Sequence, residues 1–386
     1  MSQYFTHDLI SQMVVFQAFM LLILLTNLWL THRARKHCLP SQLPKVSILV
    51  PARNEEVTIE ACLHSLLEQD YPGFEVLVLD DQSTDATPLT LLRLAAEYPN
   101  LIVMNGAPVP EGIAGKNWAC AQLAEQATGE LLLFTDADTV HQPGMLKGLV
   151  GAMLGEKADM LSGFPRQEVK SWGERLLVPF FTWASLNFIP LGLAYKLRST
   201  VLSVAVGQMM IFKRDTYQTV GGHAALGTSF LDDILLARRI KAAGRRWRVL
   251  SISDLVSCRM YRSSQRAYEG LTKSLFGAFG YRLLPYVFIV LWLVYLAWVP
   301  IVVSALWLAR LAPLANPVIL LACLVLAFLT WLIAHIEIRV PFYLALLYPF
   351  TILSNALVML RSLVFTLGGK LRWKDRPLDK PRWKWL

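Results

Sequence analysis

The chain has 386 residues, 55% of them apolar and only 17% charged, with a formal net charge of +9. That length suits one sizeable domain with something added, and the apolar surplus gathers at the two ends, as membrane segments around a soluble core would place it. Lys and Arg cluster beside the apolar segments and not along an aromatic-interleaved groove, which argues against a nucleic-acid partner and for the cytoplasmic face of a lipid bilayer. The five cysteines, Cys38, Cys62, Cys120, Cys258 and Cys323, have no C-x-x-C spacing. They argue against a zinc site or a disulfide framework and fit a reducing compartment.

Leu9 to Thr31 carries no charge and is long enough to cross a bilayer. Arg33, Arg35 and Lys36 follow at once, so the positive-inside rule puts the next domain in the cytoplasm. A cleaved signal peptide fits less well, because its charge would precede the apolar run. From Lys45 strands and helices alternate. Val46–Val50, Phe74–Leu79, Leu101–Met104 and Leu131–Phe134 read as strands, and Val57–Gln69, Thr87–Tyr98 and Trp118–Ala127 as helices. This βαβα order predicts an α/β fold with a parallel sheet and helices on both faces.

The loops at the carboxyl ends of these strands carry the polar groups. Pro51-Ala52-Arg53-Asn54-Glu55 follows the first strand, Asp80-Asp81 the second, and Asp136-Ala137-Asp138 the fourth; Gly115-Lys116-Asn117 opens onto the same rim. In open α/β sheets that edge is where ligands bind. Two carboxylates one residue apart on an ending strand can face one divalent cation, Mg²⁺ or Mn²⁺, which would bridge to substrate phosphates. Asp81 is placed to hydrogen-bond a base or ribose, and Lys116 to reach a diphosphate or a base edge. Taken singly, each could be a plain turn or a surface lysine; four loops on one edge make a site.

The stretches Ser47–Glu56, Val76–Asp85 and Phe134–Asp138 resemble the inverting family 2 glycosyltransferases, which have the Rossmann-like GT-A nucleotide-sugar-binding fold. The resemblance spans Lys45 to Cys258. It implies a nucleotide-sugar donor held by Pro51, Ala52, Arg53, Asn54, Glu55, Asp81, Lys116 and Asp136, with Asp81 at the nucleobase and Asp136 and Asp138 on the metal–diphosphate.

Further along, Met160–Phe164 reads as a strand. Leu176–Leu197 is apolar and aromatic but holds Pro179 and Pro190. Proline disfavours an unbroken span, so this stretch is expected to lie on the membrane as an amphipathic segment; a buried helix of the soluble domain is the alternative. Gly207-Gln208 and Gly222-His223 resemble the acceptor-side wall of the family. Phe230-Leu231-Asp232-Asp233 opens an amphipathic helix with Leu235, Leu236 and Ile240 as its buried stripe. Acids there also suit the helix dipole. In the family the pair is usually Glu-Asp, with the second residue as general base; the resemblance therefore puts that role on Asp233, with Asp232 as a substitute. An inverting transfer needs such a base for the acceptor proton and a cation for the departing diphosphate.

Processive synthases and ceramide glucosyltransferases of the family carry Gln-x-x-Arg-Trp near Gln265, but here Gln265 is followed by Arg266 and Tyr268-Glu269. That departure weakens a polymer synthase. The spacing of Met260-Tyr261 to Gly270-x-x-Lys273, with Trp373-Lys374-x-Arg376, is more similar to the carotenoid glycosyltransferases of the diaponeurosporenoate type. Lys273 and Arg376 are candidates for diphosphate contact; a membrane-surface role is the commoner explanation. Residues 259–282 read as an interfacial segment. Leu283–Ala309, Leu314–Ala334 and Val340–Leu360, the last broken by Pro349, return the chain to the bilayer over 283–366. The basic stretch from Lys370 to Lys384, with Trp373, Trp383 and Trp385, reads as a cytoplasmic interfacial tail. Three full spans would leave that tail outside, unless the proline-broken run is re-entrant.

These observations describe an integral protein of a bacterial-type plasma membrane with a cytoplasmic catalytic domain over 45–258. Its expected activity is metal-dependent transfer of a sugar, from a UDP-sugar first, to a lipid acceptor. The resemblance ranks a carotenoid or other terpenoid ahead of a sphingolipid, a glycerolipid or a polyprenyl phosphate. The rivals are a polysaccharide synthase, for which the spans are few, and a non-catalytic membrane scaffold, which would not be expected to keep Asp81, Asp136, Asp138 and Asp233 together.

Overall fold

The computed structural model describes residues 2–33, 39, 42–229, 231–311, 316–373, 376–377 and 383–386. Of the residues singled out above, Arg35, Lys36, Cys38, Phe230, Leu314 and Lys374 lie outside this set, as do the side chains of Arg33, Trp373 and Arg376. The chain forms two compact units: Asn27–Glu168 with Leu191–Met260, and Met1–Thr26 with Val169–Pro190 and Tyr261–Leu386.

The first unit is α/β. Its strands are β1 (Val46–Ala52), β2 (Phe74–Asp80), β3 (Leu101–Asn105), β4 (Leu131–Thr135), β5 (Thr139–His141), β6 (Met160–Phe164), β7 (Arg166–Gln167), β8 (Met209–Lys213), β9 (Trp247–Ser251) and β10 (Val256–Cys258). The main sheet has the order β3-β2-β1-β4-β8-β6-β9. From β3 to β4 it is parallel, as expected. Beyond β4 the sheet becomes mixed: β8 runs antiparallel to both β4 and β6. The regular βα alternation ends with β4, and β8 is reached by a long excursion that brings the chain back in the opposite sense. The reversal sets Thr135 opposite Met209, so the segment just before β8 lies beside the carboxyl end of β4.

Val46, Ile48, Leu49 and Val50 of β1 are all buried, as are Leu131 to Phe134 of β4, which is what a strand covered on both faces requires. A Cβ on Gly129 would stand 2.5 Å from the backbone nitrogen of Ser47; only glycine lets the chain enter β4 this close to β1. A smaller sheet, β5-β10-β7, pairs Cys258 with both Thr139 and Gln167.

Two helices differ from expectation in ways that matter below. The one expected from Trp118 begins at Gly115, so Lys116 sits in its first turn and not in a loop. In the helix Asp232–Ala242, Leu235 is only half-buried, and Ala237 joins Leu236 and Ile240 on the buried face.

The second unit is helical. Four helices are long and apolar enough to cross a membrane: Asp8–His32, Leu283–Leu308, Pro317–Glu337 and Phe342–Leu367. The last of these passes from a 3₁₀ helix, Phe342–Leu347, to the α-helix Tyr348–Leu367 just before Pro349, which stands in the first turn of the α-helix, where its missing N–H has no intrahelical partner to lose. The stretch Leu176–Leu197 is not one helix. Trp172–Leu177 and Pro179–Phe188 belong to this unit, the former opened by a Ser171/Glu174 capping box, while Leu191–Lys196 belongs to the α/β unit. Phe180, Trp183 and Leu186 are buried here, and Trp183 stacks on Trp331 at 4.2 Å.

Candidate active site

The carboxyl edge of β1 and β2 is tied together by its own loops. The Arg53 guanidinium donates to the Asp81 carbonyl and stands 3.7 Å from its carboxylate. Asn54, in left-handed backbone at φ 52°, accepts from the Thr84 N–H at 2.8 Å, and its own N–H donates to Ser83 Oγ at 2.9 Å. The Asp81 N–H donates to the Ala52 carbonyl at 2.8 Å. Pro51, Ala52, Arg53, Asn54 and Asp81 thus form one preorganised rim.

Asp136 and Asp138 leave the end of β4 in a tight turn, closed by the Thr139 hydroxyl donating to the Asp136 carbonyl at 2.6 Å. The helix beginning at Gly115 aims Lys116 at this turn: its Nζ is 2.8 Å from Asp136 Oδ1 and 3.3 Å from Asp232 Oδ2. Burial opposes the ammonium charge, but the Asp136 and Asp232 carboxylates outweigh it and hold Lys116 well above its ordinary pKa. Burial likewise opposes the charge of Asp232, and Lys116 followed by His223 reverses this, holding that carboxyl below its usual range. One lysine therefore joins the strand-end acid to the first acid of the Asp232–Ala242 helix.

Asp233 is held from two sides. The Gly207 N–H donates to its Oδ2 at 3.1 Å and the Ile234 N–H to its Oδ1 at 2.7 Å. Burial, and then the Asp232 charge, raise its pKa to about 7. Asp138 is also raised to about 7, by burial and then by Asp136 and Glu55. The reversed β8 makes this possible, because it carries Gly207 to the cluster.

Behind the cluster lie Gln208, Gly222 and His223. Gln208 is buried and donates its amide to Cys258 Sγ at 3.1 Å. Gly222 has φ +51°, and a Cβ there would meet the Tyr217 ring at 2.5 Å. His223 shares a hydrogen bond with the Tyr217 hydroxyl at 2.8 Å, and its Nε2 is 3.8 Å from Asp232 Oδ2. Burial lowers its pKa to about 4, so it is neutral at pH 7. Lys273 lies on the helix Ser264–Ala278 of the other unit.

Sequence reasoning missed Cys258 as a site residue. Cys258 donates to Asp138 Oδ1 at 3.5 Å. The contact depends on the pairing of β10 with β5, which no spacing in the sequence announces.

A cation fits part of this site. Among the described residues no three His, Cys, Asp or Glu side chains enclose an ion by themselves. Asp136 and Asp138 are hard oxygen donors, however, and the negative charge around Asp138 is in excess. An ion bound there would take its remaining ligands from substrate oxygens or water.

Residues 47–221 match the model of Glycosyl transferase family 2. The chain is 39% identical over 117 residues to a beta-monoglucosyldiacylglycerol synthase of Nostoc sp., a match covering 30% of this chain and 25% of the relative. The chain thus spans about a quarter of that relative's length. A 4,4'-diaponeurosporenoate glycosyltransferase of Staphylococcus aureus is 28% identical over 267 residues, covering 68% of this chain and 69% of the relative. The mannosyltransferase PcManGT of Pyrobaculum calidifontis, solved in complex with GDP-Man and Mn²⁺, is 20% identical and superposes with a TM-score of 0.47, covering 93% of this chain and 99% of the other.

Proposed function

We propose that the chain is a membrane-embedded inverting glycosyltransferase that moves a sugar from a nucleotide donor, a UDP-sugar first, to a lipid acceptor. The observation that carries the reading is that Asp136 and Lys116, inside the stretch that matches the family 2 model, meet Asp232 and Asp233, which follow it in the chain. The relatives, a beta-monoglucosyldiacylglycerol synthase and a 4,4'-diaponeurosporenoate glycosyltransferase, support a lipid acceptor, and the resemblance to the carotenoid glycosyltransferases favours a terpenoid. Apolar side chains exposed along the long helices, such as Phe288, Leu291, Leu321, Phe350 and Val364, support a bilayer around them.

In this reading Asp233 takes the proton of the acceptor hydroxyl as the sugar carbon is attacked from the face opposite the diphosphate. The Gly207 and Ile234 N–H groups fix its carboxylate, and a pKa near 7 suits a base at neutral pH. Asp232 stays ionised beside Lys116 and keeps the proton affinity of Asp233 high. The rim from Pro51 to Glu55 with Asp81 holds the nucleoside. A divalent cation at Asp136 and Asp138 would supply positive charge to the leaving diphosphate.

Transfer of labelled sugar from a panel of nucleotide sugars into membrane lipids tests this, with intact protein, Asp138→Ala and Asp233→Ala, each with and without a chelator. Label in an organic-soluble product that disappears in both variants and with chelator is expected. Label in a precipitated polymer would turn the reading to a polysaccharide synthase. Intact nucleotide binding with no transfer from any donor would turn it to a scaffold.

A further inference from the structure

We propose that Cys258 is a protein ligand to the divalent cation at Asp138, so that the site offers one sulfur among oxygens. The inference rests on the cation-dependent reading above and adds a donor to it.

The first observation is geometric. Cys258 Sγ lies 3.5 Å from Asp138 Oδ1. Two ligands about 2.1 and 2.3 Å from one ion, for oxygen and sulfur respectively, are about 3.1 to 3.6 Å apart when they subtend about 90 to 110°. The 3.5 Å separation falls within that range. Both residues are held there by strand pairing, since Cys258 is in register with Thr139, the residue after Asp138.

The second observation is the sulfur's other neighbour. Gln208 Nε2 donates to Cys258 Sγ at 3.1 Å, while Gln208 Oε1 accepts from Gln167 Nε2 at 3.0 Å. The Gln208 carbonyl in turn accepts from the Thr135 hydroxyl at 2.9 Å. This chain of buried groups fixes the Gln208 amide so that its N–H faces the sulfur. Partners of this kind orient metal ligands. Asp138 makes no ion pair among the described residues.

On binding, the ion takes the place of the thiol proton, which passes to solvent; no electron changes hands. A sulfur donor shifts preference from Mg²⁺ toward Mn²⁺, Co²⁺, Zn²⁺ or Cd²⁺.

The test uses the full chain in detergent, stripped of metal and titrated with Co²⁺ and Cd²⁺ in the presence of UDP. A sulfur-to-cobalt charge-transfer band is expected in the wild type and in Cys62→Ser, and absent in Cys258→Ser. Cd²⁺ affinity should fall at least about tenfold in Cys258→Ser, with Mg²⁺ affinity within about twofold. Cadmium NMR of the wild type, which needs no variant, should show the downfield resonance of a sulfur-bound ion. Co²⁺ bound without the band, a cadmium resonance typical of oxygen ligands alone, or a band lost in Cys62→Ser and kept in Cys258→Ser would overturn the proposal. Failure of the wild type to bind any divalent cation would overturn the cation-dependent reading together with it. Cation binding abolished by Asp138→Ala but unchanged in Cys258→Ser would leave that reading standing and remove only the sulfur.

Discussion

Asp233 owes its raised pKa first to burial and then to Asp232, and two predictions follow from the sign of that shift. Activity of the wild type should rise with pH along a limb with an apparent pKa near 7, and Asp233→Asn should remove the activity; a limb near 4 would place the base elsewhere. For stability, an unfolded Asp titrates at about 3.9 and the folded one at about 7. The contribution is complete below about pH 4 and is lost as pH rises through about 7. Thermal midpoints in cation-free buffer should therefore change in favour of Asp233→Asn, relative to wild type, between pH 5 and pH 8. Lys116 gives a third prediction. Removing it as Lys116→Met leaves Asp232 buried beside a neutral His223, at a cost of about 3 kcal/mol. Lys116→Met/Asp232→Asn should recover part of that loss in a thermal unfolding cycle. The sequence displayed these acids because each stands at a strand or helix end, where polar residues interrupt an apolar run. It could not display their partners: Lys116, Asp136 and Asp232 are brought together only by folding, and Cys258 meets Asp138 only through β10.

At the scale of elements, the legible part was the regular part. Strands β1 to β4 read from their apolar runs because both faces are covered. The sense of β8 could not be read, since an apolar run has no direction until it finds its neighbours. The start of the Lys116 helix was missed because Gly115 is a poor helix former, and its first turn is won by tertiary contact, including the Asn117 amide donating to the Gly227 carbonyl at 3.0 Å. The two residues at Gly221-Gly222 illustrate how a turn supports chemistry at one remove. Gly222→Ala would strain a positive φ and push a methyl group into the Tyr217 ring, displacing the Tyr217–His223 pair behind Asp232. A loss of about 2 to 4 kcal/mol is expected. Chemical denaturation would check it, and a variant as stable as wild type would mean that the turn relaxes freely.

Over the whole molecule, composition alone marked two kinds of territory, and the two compact units follow it in outline. What composition missed is Val169–Pro190, which lies between stretches of the α/β unit in sequence yet packs among the long helices. Its prolines argued against an unbroken span; Pro179 starts a helix of its own. The proposed bilayer setting predicts that the full chain stays with membranes through an alkaline carbonate wash and leaves them only with detergent. Release by carbonate would put the long helices outside the bilayer.

Lys116 has one further consequence. Its single positive charge is divided between Asp136 and Asp232. In the proposed reaction a diphosphate binding beside Asp136 would draw on that charge, and what Asp232 lost would return as affinity for a proton on the Asp232–Asp233 pair. Donor and proton would then be linked ligands of one protein. Calorimetry in buffers of differing ionisation enthalpy should record proton uptake when the nucleotide sugar binds near pH 7, and Lys116→Met should abolish it. The donor side would thus prime the base before any acceptor arrives.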